Sequence, residues 1–233
     1  MSSATPFRED ALTLATTDAA PVLAKWRAES VPLDHRLARL VLGRPYVAMR
    51  GGGAAEIAGK LADGADVLGM RYLGRYRFAG LIPFFGPVRE TWVDRDGAVR
   101  ASFRRATPHG LVEAGMGTYF ITTMFDDGTA ITTWSRPITF PPNPLVTNRA
   151  GTGKFVADYE SHRAAVAEHT TSTCRPLRVA DLDTALAIAT AYDRRISPWA
   201  IVSVAKARLT FLLMVALAVS LVYALITRSG VLR

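Results

Sequence analysis

Residues 88–105, VRETWVDRDGAVRASFRR, decide the fold because two alternating runs flank an Asp-Gly pair. Asp-Gly between such runs is a strong hairpin signal, since glycine readily adopts the positive φ that a tight turn requires. A two-residue turn at Asp96-Gly97 places Trp92 opposite Ala101. The pattern therefore predicts an antiparallel sheet with one buried apolar face and one solvated polar face. The apolar set is Trp92, Val99, Ala101 and Phe103, and the polar set is Arg89, Thr91, Arg100, Ser102 and Arg104.

The segments around this hairpin predict a meander of about five strands. A second Asp-Gly pair, Asp127-Gly128, predicts a second hairpin. Helical periodicity and capping residues predict helices before and after the strands. Helices grouped at the two ends of a run of strands are typical of an α+β fold. The predicted strands are 66–78, 88–94, 98–105, 111–125 and 129–135. The first predicted helix is capped by Asp18 or Thr17, and the others span 33–42, 54–62, 154–171 and from Asp181 or Asp183 to about Arg195.

The chain divides into three parts by composition. Residues 1–17 are polar and are expected to be disordered. Residues 18–195 are long enough for one α+β domain with a full core. Residues 196–233 hold a juxtamembrane segment and a membrane anchor.

The anchor is predicted from an uncharged run of eighteen residues, LTFLLMVALAVSLVYALI, at 209–226. A helix of this length is about 27 Å long, close to the roughly 30 Å thickness of a bilayer's hydrocarbon core. Lys206, Arg208 and Arg228 flank the run, and their side chains can snorkel to the headgroups. A buried core helix is the alternative, but such helices seldom run this long without a polar face. The sequence predicts a single C-terminal transmembrane helix and a tail-anchored protein.

The charge distribution predicts the orientation. From Arg194 onward lie six of the 28 Lys and Arg residues and none of the 20 Asp and Glu residues, so this segment carries +6 of the net +8. The excess charge sits beside the membrane, where it attracts anionic lipid, and this argues against nucleic acid. Four basic residues precede the run and two follow it, which favours a cytoplasmic N-terminal domain at the cell (inner) membrane. The absence of a signal-peptide pattern and the single cysteine, Cys174, agree.

Small residues recur every four positions in the anchor, at Ala216, Ser220 and Ala224. Helices in lipid associate where small residues let their backbones approach closely. The stripe indicates a helix–helix contact with a second copy or with the span of another membrane protein. The alternative is composition alone, because alanine is abundant throughout the chain.

Two further surface features are candidate binding sites. Arginines alternate along two predicted strands, and such a face binds phosphate, anionic lipid or an acidic partner unless it is simply the solvated face of a sheet. The segment FAGLIPFFGP, at 78–87, is an apolar loop that either docks on the bilayer or a partner or folds over the core. The residues of the anion patch are Arg71, Arg75, Arg77, Arg100 and Arg104, and those of the apolar loop are Leu81, Ile82, Phe84 and Phe85.

No motif with catalytic, cofactor-binding or metal-binding spacing is present. Gly51-Gly52-Gly53 fits neither dinucleotide nor nucleoside-triphosphate patterns. Asp158, His162 and His169 share one helix face, but histidines seven positions apart are about 10 Å apart along the axis. We therefore predict no catalytic residue, no cofactor and no metal.

Two functions remain open. The leading hypothesis is a non-enzymatic, membrane-anchored accessory or scaffold protein that binds a membrane-protein partner or lipid. The alternative is a membrane-tethered enzyme or carrier that holds a lipid-like ligand within the β region. A filled core with an exposed apolar patch favours the first, and a deep cavity inside the sheet, lined by aromatic side chains, favours the second. Those side chains are Tyr72, Tyr76, Trp92, Phe103, Tyr119 and Trp134.

Overall fold

The computed structural model describes residues 13–29, 46–49, 60–77, 88–104, 118–137 and 143–195, with 213, 216, 217, 219–221, 223 and 224. The predicted helix at 33–42, the apolar loop at 81–85 and much of the run at 209–226 lie outside these residues. Among the residues that are described, no helix is both long and apolar enough to cross a membrane.

The fold is α+β, with a mostly antiparallel sheet of seven strands in the order β2-β3-β4-β5-β6-β7-β8. The last pair, β7 and β8, is parallel, and β1 and β9 form a separate parallel pair. The α+β class and the mostly antiparallel sheet are as predicted, but the sheet has seven strands and not about five. The elements are β1 (Thr17–Asp18), α1 (Ala19–Glu29), β2 (Val47–Met49), α2 (Lys60–Val67), β3 (Arg71–Arg77), β4 (Val88–Val93), β5 (Arg100–Arg104), β6 (Tyr119–Met124), β7 (Ala130–Trp134), β8 (Val146–Ala150), α3 (Phe155–His169), β9 (Leu177–Arg178) and α4 (Leu182–Arg195).

The first hairpin has the predicted register but a longer turn. Trp92 lies opposite Ala101. The N–H of Asp94 donates to the carbonyl of Val99 at 3.0 Å, so four residues form the loop and not two. Gly97 has a φ of +75°, which glycine adopts without steric cost.

The second hairpin closes with a three-residue loop. The N–H of Phe125 donates to the carbonyl of Thr129 at 2.9 Å. The N–H of Gly128 donates to the carbonyl of Phe125 and closes a turn over these four residues. Gly128 itself has a φ of +90°. A turn followed by one left-handed residue is common in hairpins of this length.

Helices cover both faces of the sheet, so the prediction of a solvated polar face is wrong. Helices α2 and α3 pack on the face that holds Trp92 and Phe103, here called the α3 face. Helices α1 and α4 pack beside the opposite face, the α4 face. On that face Ser102 is 0% exposed, although its hydroxyl group made it a predicted surface residue. Alternation shows which residues share a face, but not what covers that face.

Capping residues mark the helix starts as the sequence predicts. Asp18 accepts a hydrogen bond from the N–H of Ala20 at 3.2 Å at the start of α1. Asp181 accepts one from the N–H of Thr184 at 2.7 Å at the start of α4. Each bond satisfies a donor that the first turn of a helix leaves without an intrahelical partner.

The strand predicted from residue 66 begins later, because α2 occupies its first two positions. Ala65 is 0% exposed and packs in the core. The helix ends at Val67, and the chain turns away at Gly69, whose φ is +63°. The N–H of Met70 bonds the carbonyl of Ala65, and that of Gly69 bonds the carbonyl of Asp66, both at 2.9 Å. This is a Schellman ending, which glycine favours.

Candidate functional site

The sheet register divides the predicted arginine patch between the two faces. Opposite residues on paired strands point to the same side. Between Tyr72 and Gly74 the pairing of β3 with β4 shifts by one residue, which reverses the alternation. Arg71 therefore lies on the α4 face, whereas Arg75 and Arg77 lie on the α3 face.

Side-chain contacts agree with this division. The guanidinium of Arg75 contacts the buried carboxylate of Glu90 at 3.0 Å. Arg71 instead donates to the carbonyl of Ala180 at 2.6 Å, beside the start of α4. The predicted arginines therefore do not form one surface. Arg100 and Arg104 share the α4 face with Arg71.

The α4 face carries a polar cluster between the sheet and the end of α4. The hydroxyl of Tyr46 donates to the carboxylate of Asp193 at 2.8 Å. Its ring meets the ring of Tyr76 edge to face, with centroids 5.4 Å apart. The hydroxyl of Tyr76 in turn donates to that of Ser102 at 3.4 Å. We call Tyr46, Tyr76, Arg89, Arg100, Ser102 and Asp193 the polar cluster.

Two arginines give this cluster its positive charge. Arg100 is 8% exposed and donates to the carbonyl of Ala185 in α4 at 3.0 Å. The guanidinium carbon of Arg89 lies 5.1 Å from the centroid of the Phe120 ring, within the range of a cation–π contact. Both charges are partly removed from water, so neighbouring groups experience them more strongly than they would at a surface.

The pKa of Tyr76 reports this positive potential. Burial by itself raises the pKa of a phenol, because it disfavours the charged form. The pKa of Tyr76 is nevertheless lowered, because the guanidinium groups of Arg89 and Arg100 and the bond to Ser102 outweigh burial. A buried phenol whose pKa is nevertheless lowered lies where negative charge is stabilised.

The carboxyl group of Asp193 shows the opposite balance. Burial raises the pKa of Asp193 to about 6, although the bond from Tyr46 and the charges of Arg100 and Arg89 lower it. Burial and the charge of Asp193 likewise raise the pKa of Tyr46 well above its ordinary value. Ionisable groups with shifted pKa values gather at functional sites more often than elsewhere. The polar cluster is therefore the candidate site for an anionic ligand.

The helix face that holds Asp158, His162 and His169 contains no shared site. Asp158 is 2% exposed and accepts a hydrogen bond from the hydroxyl of Tyr119 at 2.6 Å. His162 is 0% exposed and contacts the hydroxyl of Thr133 at 2.9 Å. His169 lies at the exposed end of α3. The first two side chains therefore help to hold α3 against the sheet.

Aromatic side chains fill the layer between the sheet and α3. The rings of Trp92 and Phe103 lie 6.5 Å apart. Phe155 of α3 lies 5.0 Å from Phe103 and 5.2 Å from Tyr119. Tyr76 lies on the α4 face, as does Trp134, which pairs with Phe120. The six aromatic residues proposed to line one pocket therefore lie on two faces.

Other predicted site residues are only partly described. Ala216, Ser220 and Ala224 are helical and exposed. The hydroxyl of Ser220 donates to the carbonyl of Ala216 at 2.8 Å, which keeps it within the helix. Lys206, Arg208, Arg228 and the apolar loop (Leu81, Ile82, Phe84 and Phe85) lie outside the described residues.

Sequence reasoning missed Tyr46 and Asp193. Tyr46 lies just before the short strand β2 and Asp193 lies near the end of α4, with 146 residues between them. An acidic residue in the last turn of a helix opposes the helix dipole, and this was the one local signal that Asp193 offered.

No known protein family, curated protein or solved structure matches the chain. The function is therefore inferred from its own residues.

Proposed function

We propose that the protein is a non-enzymatic, membrane-anchored binding protein. Residues 209–226 form its single span, and the α+β domain lies on the cytoplasmic side, where it binds lipid or a membrane-protein partner. The uncharged run of eighteen residues, with basic residues on both sides, carries the proposal. Such a run matches the hydrocarbon thickness of a bilayer.

The described part of the run supports an apolar environment. Large side chains that are more than half exposed recur along its helical positions. In water such a surface favours association or aggregation, whereas lipid solvates it without cost. The exposed fractions are 62% for Leu213, 64% for Leu217, 62% for Val219, 56% for Leu221 and 65% for Tyr223.

The packing of the α3 layer favours a binding protein over a carrier. A lipid-like ligand within the β region needs space between the sheet and the helix that covers it. Phe155 occupies that space and contacts the rings of Phe103 and Tyr119. Phe103 is 1% exposed and Tyr119 is 2% exposed. These side chains are core residues.

The polar cluster supports an anionic lipid headgroup as the ligand. Arg89 and Arg100 bring two guanidinium groups to one face, and guanidinium binds phosphate through two parallel hydrogen bonds. The lowered pKa of Tyr76 indicates that an anion is favoured there. The six basic residues from Arg194 onward would hold the domain near anionic lipid.

Membrane attachment is tested by alkaline carbonate extraction. The full chain should stay with the membrane pellet, because an inserted helix resists carbonate. A chain that ends at Ala207 should move to the supernatant. Protease added to sealed inner-membrane vesicles of known orientation then reports on which side the N-terminal domain lies. Extraction of the full chain into the supernatant would refute the anchor.

Headgroup binding is tested with the full chain in nonionic detergent micelles. Calorimetric titration with short-chain phosphatidylglycerol should show binding, whereas short-chain phosphatidylcholine should bind much more weakly. Arg89→Gln should weaken phosphatidylglycerol binding by about ten- to a hundredfold, since a charge-assisted hydrogen bond contributes roughly 1.5–3 kcal/mol.

Arg71→Gln is the matched control for this experiment. Arg71 lies on the same face, at the opposite end of β3, and its guanidinium donates to the carbonyl of Ala180. Its loss should leave the affinity within about twofold, because it is outside the polar cluster. Equal affinity for the two lipids, or equal losses in the two variants, would assign the ligand to another surface.

A further inference from the structure

Three elements bring metal-ligand side chains together away from the polar cluster. Asp127 lies in the turn between β6 and β7, His169 ends α3, and Cys174 lies in the segment that leads to β9. One potential ligand atom from each side chain lies within 4.8 Å of the other two. Asp127 and His169 are exposed, and Cys174 is 9% exposed.

We propose that Asp127, His169 and Cys174 bind a zinc ion. A thiolate, an imidazole nitrogen and a carboxylate oxygen are the three ligand types that zinc prefers in proteins. Magnesium and calcium prefer oxygen ligands throughout, so a set with sulfur and nitrogen argues against them. The three residues would leave a fourth tetrahedral position open toward solvent.

The distances fit a tetrahedral ion after small side-chain movements. Zinc–ligand bonds of about 2.0–2.3 Å place neighbouring ligand atoms about 3.5 Å apart in a tetrahedron. The sulfur of Cys174 lies 3.5 Å from Oδ2 of Asp127. The histidine nitrogen lies within 4.8 Å of both atoms and has to move inward by about 1 Å. Rotation of an exposed ring at a helix end accomplishes this.

Neighbouring contacts hold two of the ligands, Asp127 and His169, close to these positions. Oδ1 of Asp127 accepts the N–H and the hydroxyl of Thr129, each at 2.8 Å, and this leaves Oδ2 toward Cys174. The ring of His169 packs against the ring of Phe125, with centroids 4.6 Å apart. Such outer contacts hold metal ligands in position and strengthen binding.

Backbone contacts hold the cysteine segment against the hairpin turn. The N–H of Asp126 donates to the carbonyl of Arg175 at 3.0 Å. The N–H of Thr171 bonds the carbonyl of Cys174 at 2.9 Å, which closes the loop after α3. The segments that carry the three ligands are therefore held together before an ion binds, so only the side chains have to become ordered.

Cobalt is the probe, because it occupies zinc sites and is coloured. The full chain in nonionic detergent, freed of metal with a chelator, is titrated with Co²⁺. A thiolate-to-cobalt absorption band should appear and saturate at one ion per chain. Because the chain has a single cysteine, that band reports Cys174. Zn²⁺ should then displace the cobalt and remove the band.

Variants distinguish a site with three ligands from nonspecific binding of cobalt by the thiol of Cys174 alone. Cys174→Ala should abolish the band, and His169→Gln and Asp127→Asn should each weaken cobalt binding by about 10- to 100-fold. Asp126→Asn is the matched control, because the Asp126 carboxylate accepts from Thr17 and Arg175 and belongs to the same turn. It should bind cobalt within about twofold of the wild type.

Protein folding is checked in each variant without metal by circular dichroism. The proposal is overturned if the wild type gives no thiolate band, or if folded His169→Gln and Asp127→Asn bind cobalt as tightly as Asp126→Asn does. The proposal is supported if the wild type binds one cobalt ion per chain and His169→Gln and Asp127→Asn bind cobalt more weakly by the expected factor. Failure of this experiment does not affect the anchor, because none of these residues belongs to the span.

Discussion

His162 should make the stability of the protein fall as the pH falls, and its surroundings show why. The side chain is 0% exposed. Its Nδ1 lies 2.9 Å from the hydroxyl of Thr133, and its Nε2 lies 3.1 Å from that of Thr123. Burial, with a smaller contribution from the charge of Arg149, lowers the pKa of His162 to about 3. The ring is therefore neutral in the folded protein at ordinary pH.

The size of the effect follows from proton linkage. In the unfolded chain the pKa of a histidine is about 6.5, so the unfolded state binds a proton that the folded state accepts only near pH 3. Each pH unit between these values removes about 1.4 kcal/mol of stability. The stability that neutral His162 contributes is almost fully present at pH 7, and about 2 kcal/mol of that stability is lost at pH 5.

The assay is urea unfolding of the full chain in nonionic detergent, followed by tryptophan fluorescence at pH 7 and pH 5. His162→Gln keeps a polar side chain but removes the titrating group. The variant should be less stable than the wild type at pH 7, and that difference should shrink by about 2 kcal/mol at pH 5. Asp94 and Asp193 have pKa values raised to about 6 by burial, but they titrate in both proteins and cancel in the difference.

Val166→Ala is the control on the same helix. Val166 is 0% exposed and does not titrate, so its truncation should cost roughly 1–2 kcal/mol at both pH values. A difference between the wild type and His162→Gln that stays the same from pH 7 to pH 5 would refute the reasoning. It would mean that the folded protein accepts the proton on His162 without cost.

Three further predictions concern a turn, a buried carboxylate and the anchor. Gly97→Ala should cost more than Gly69→Ala in urea unfolding: both have positive φ, but only at position 97 would the new Cβ contact other residues, the nearest at 3.1 Å. The strain alone is about 1–2 kcal/mol. Asp158→Ala should lower the free energy of unfolding by roughly 3 kcal/mol, because four hydrogen bonds to its carboxylate would be lost and the buried hydroxyl of Tyr119 would be left without its acceptor. Ser220→Leu should reduce crosslinking of the protein to itself or a partner in native membranes, whereas Leu213→Ala should not; equal yields would reduce the small-residue stripe to composition.

Interactions between residues that are close in the sequence determine much of the fold. The pairing of Trp92 with Ala101 follows from strand alternation around one Asp-Gly turn. The helix starts near Asp18 and Asp181 follow from the ability of such residues to accept the free N–H groups of a first turn, although the sequence offered a second candidate beside each. These features depend on neighbours within a few residues, so the order of amino acids is enough to predict them.

Other features of the fold depend on contacts between residues that are far apart in the sequence. The strand β8 was missed because VTNRA lacks alternation, and it is held instead by parallel pairing with β7. The shift after Tyr72 moves Arg75 to the face opposite Arg71, which no periodic pattern within β3 reveals. Such a shift arises from the match between strands and not from one strand alone.

The sequence by itself determined the α+β class, the hairpin register, the helix caps and the eighteen-residue run that predicts an anchor. Only the tertiary structure decided that helices cover both sheet faces and that Tyr46 meets Asp193. It alone also placed His169 beside Cys174 and Asp127. The physical reason is range: alternation and capping act between near neighbours, whereas burial, charge and ligand geometry depend on which distant segments pack together.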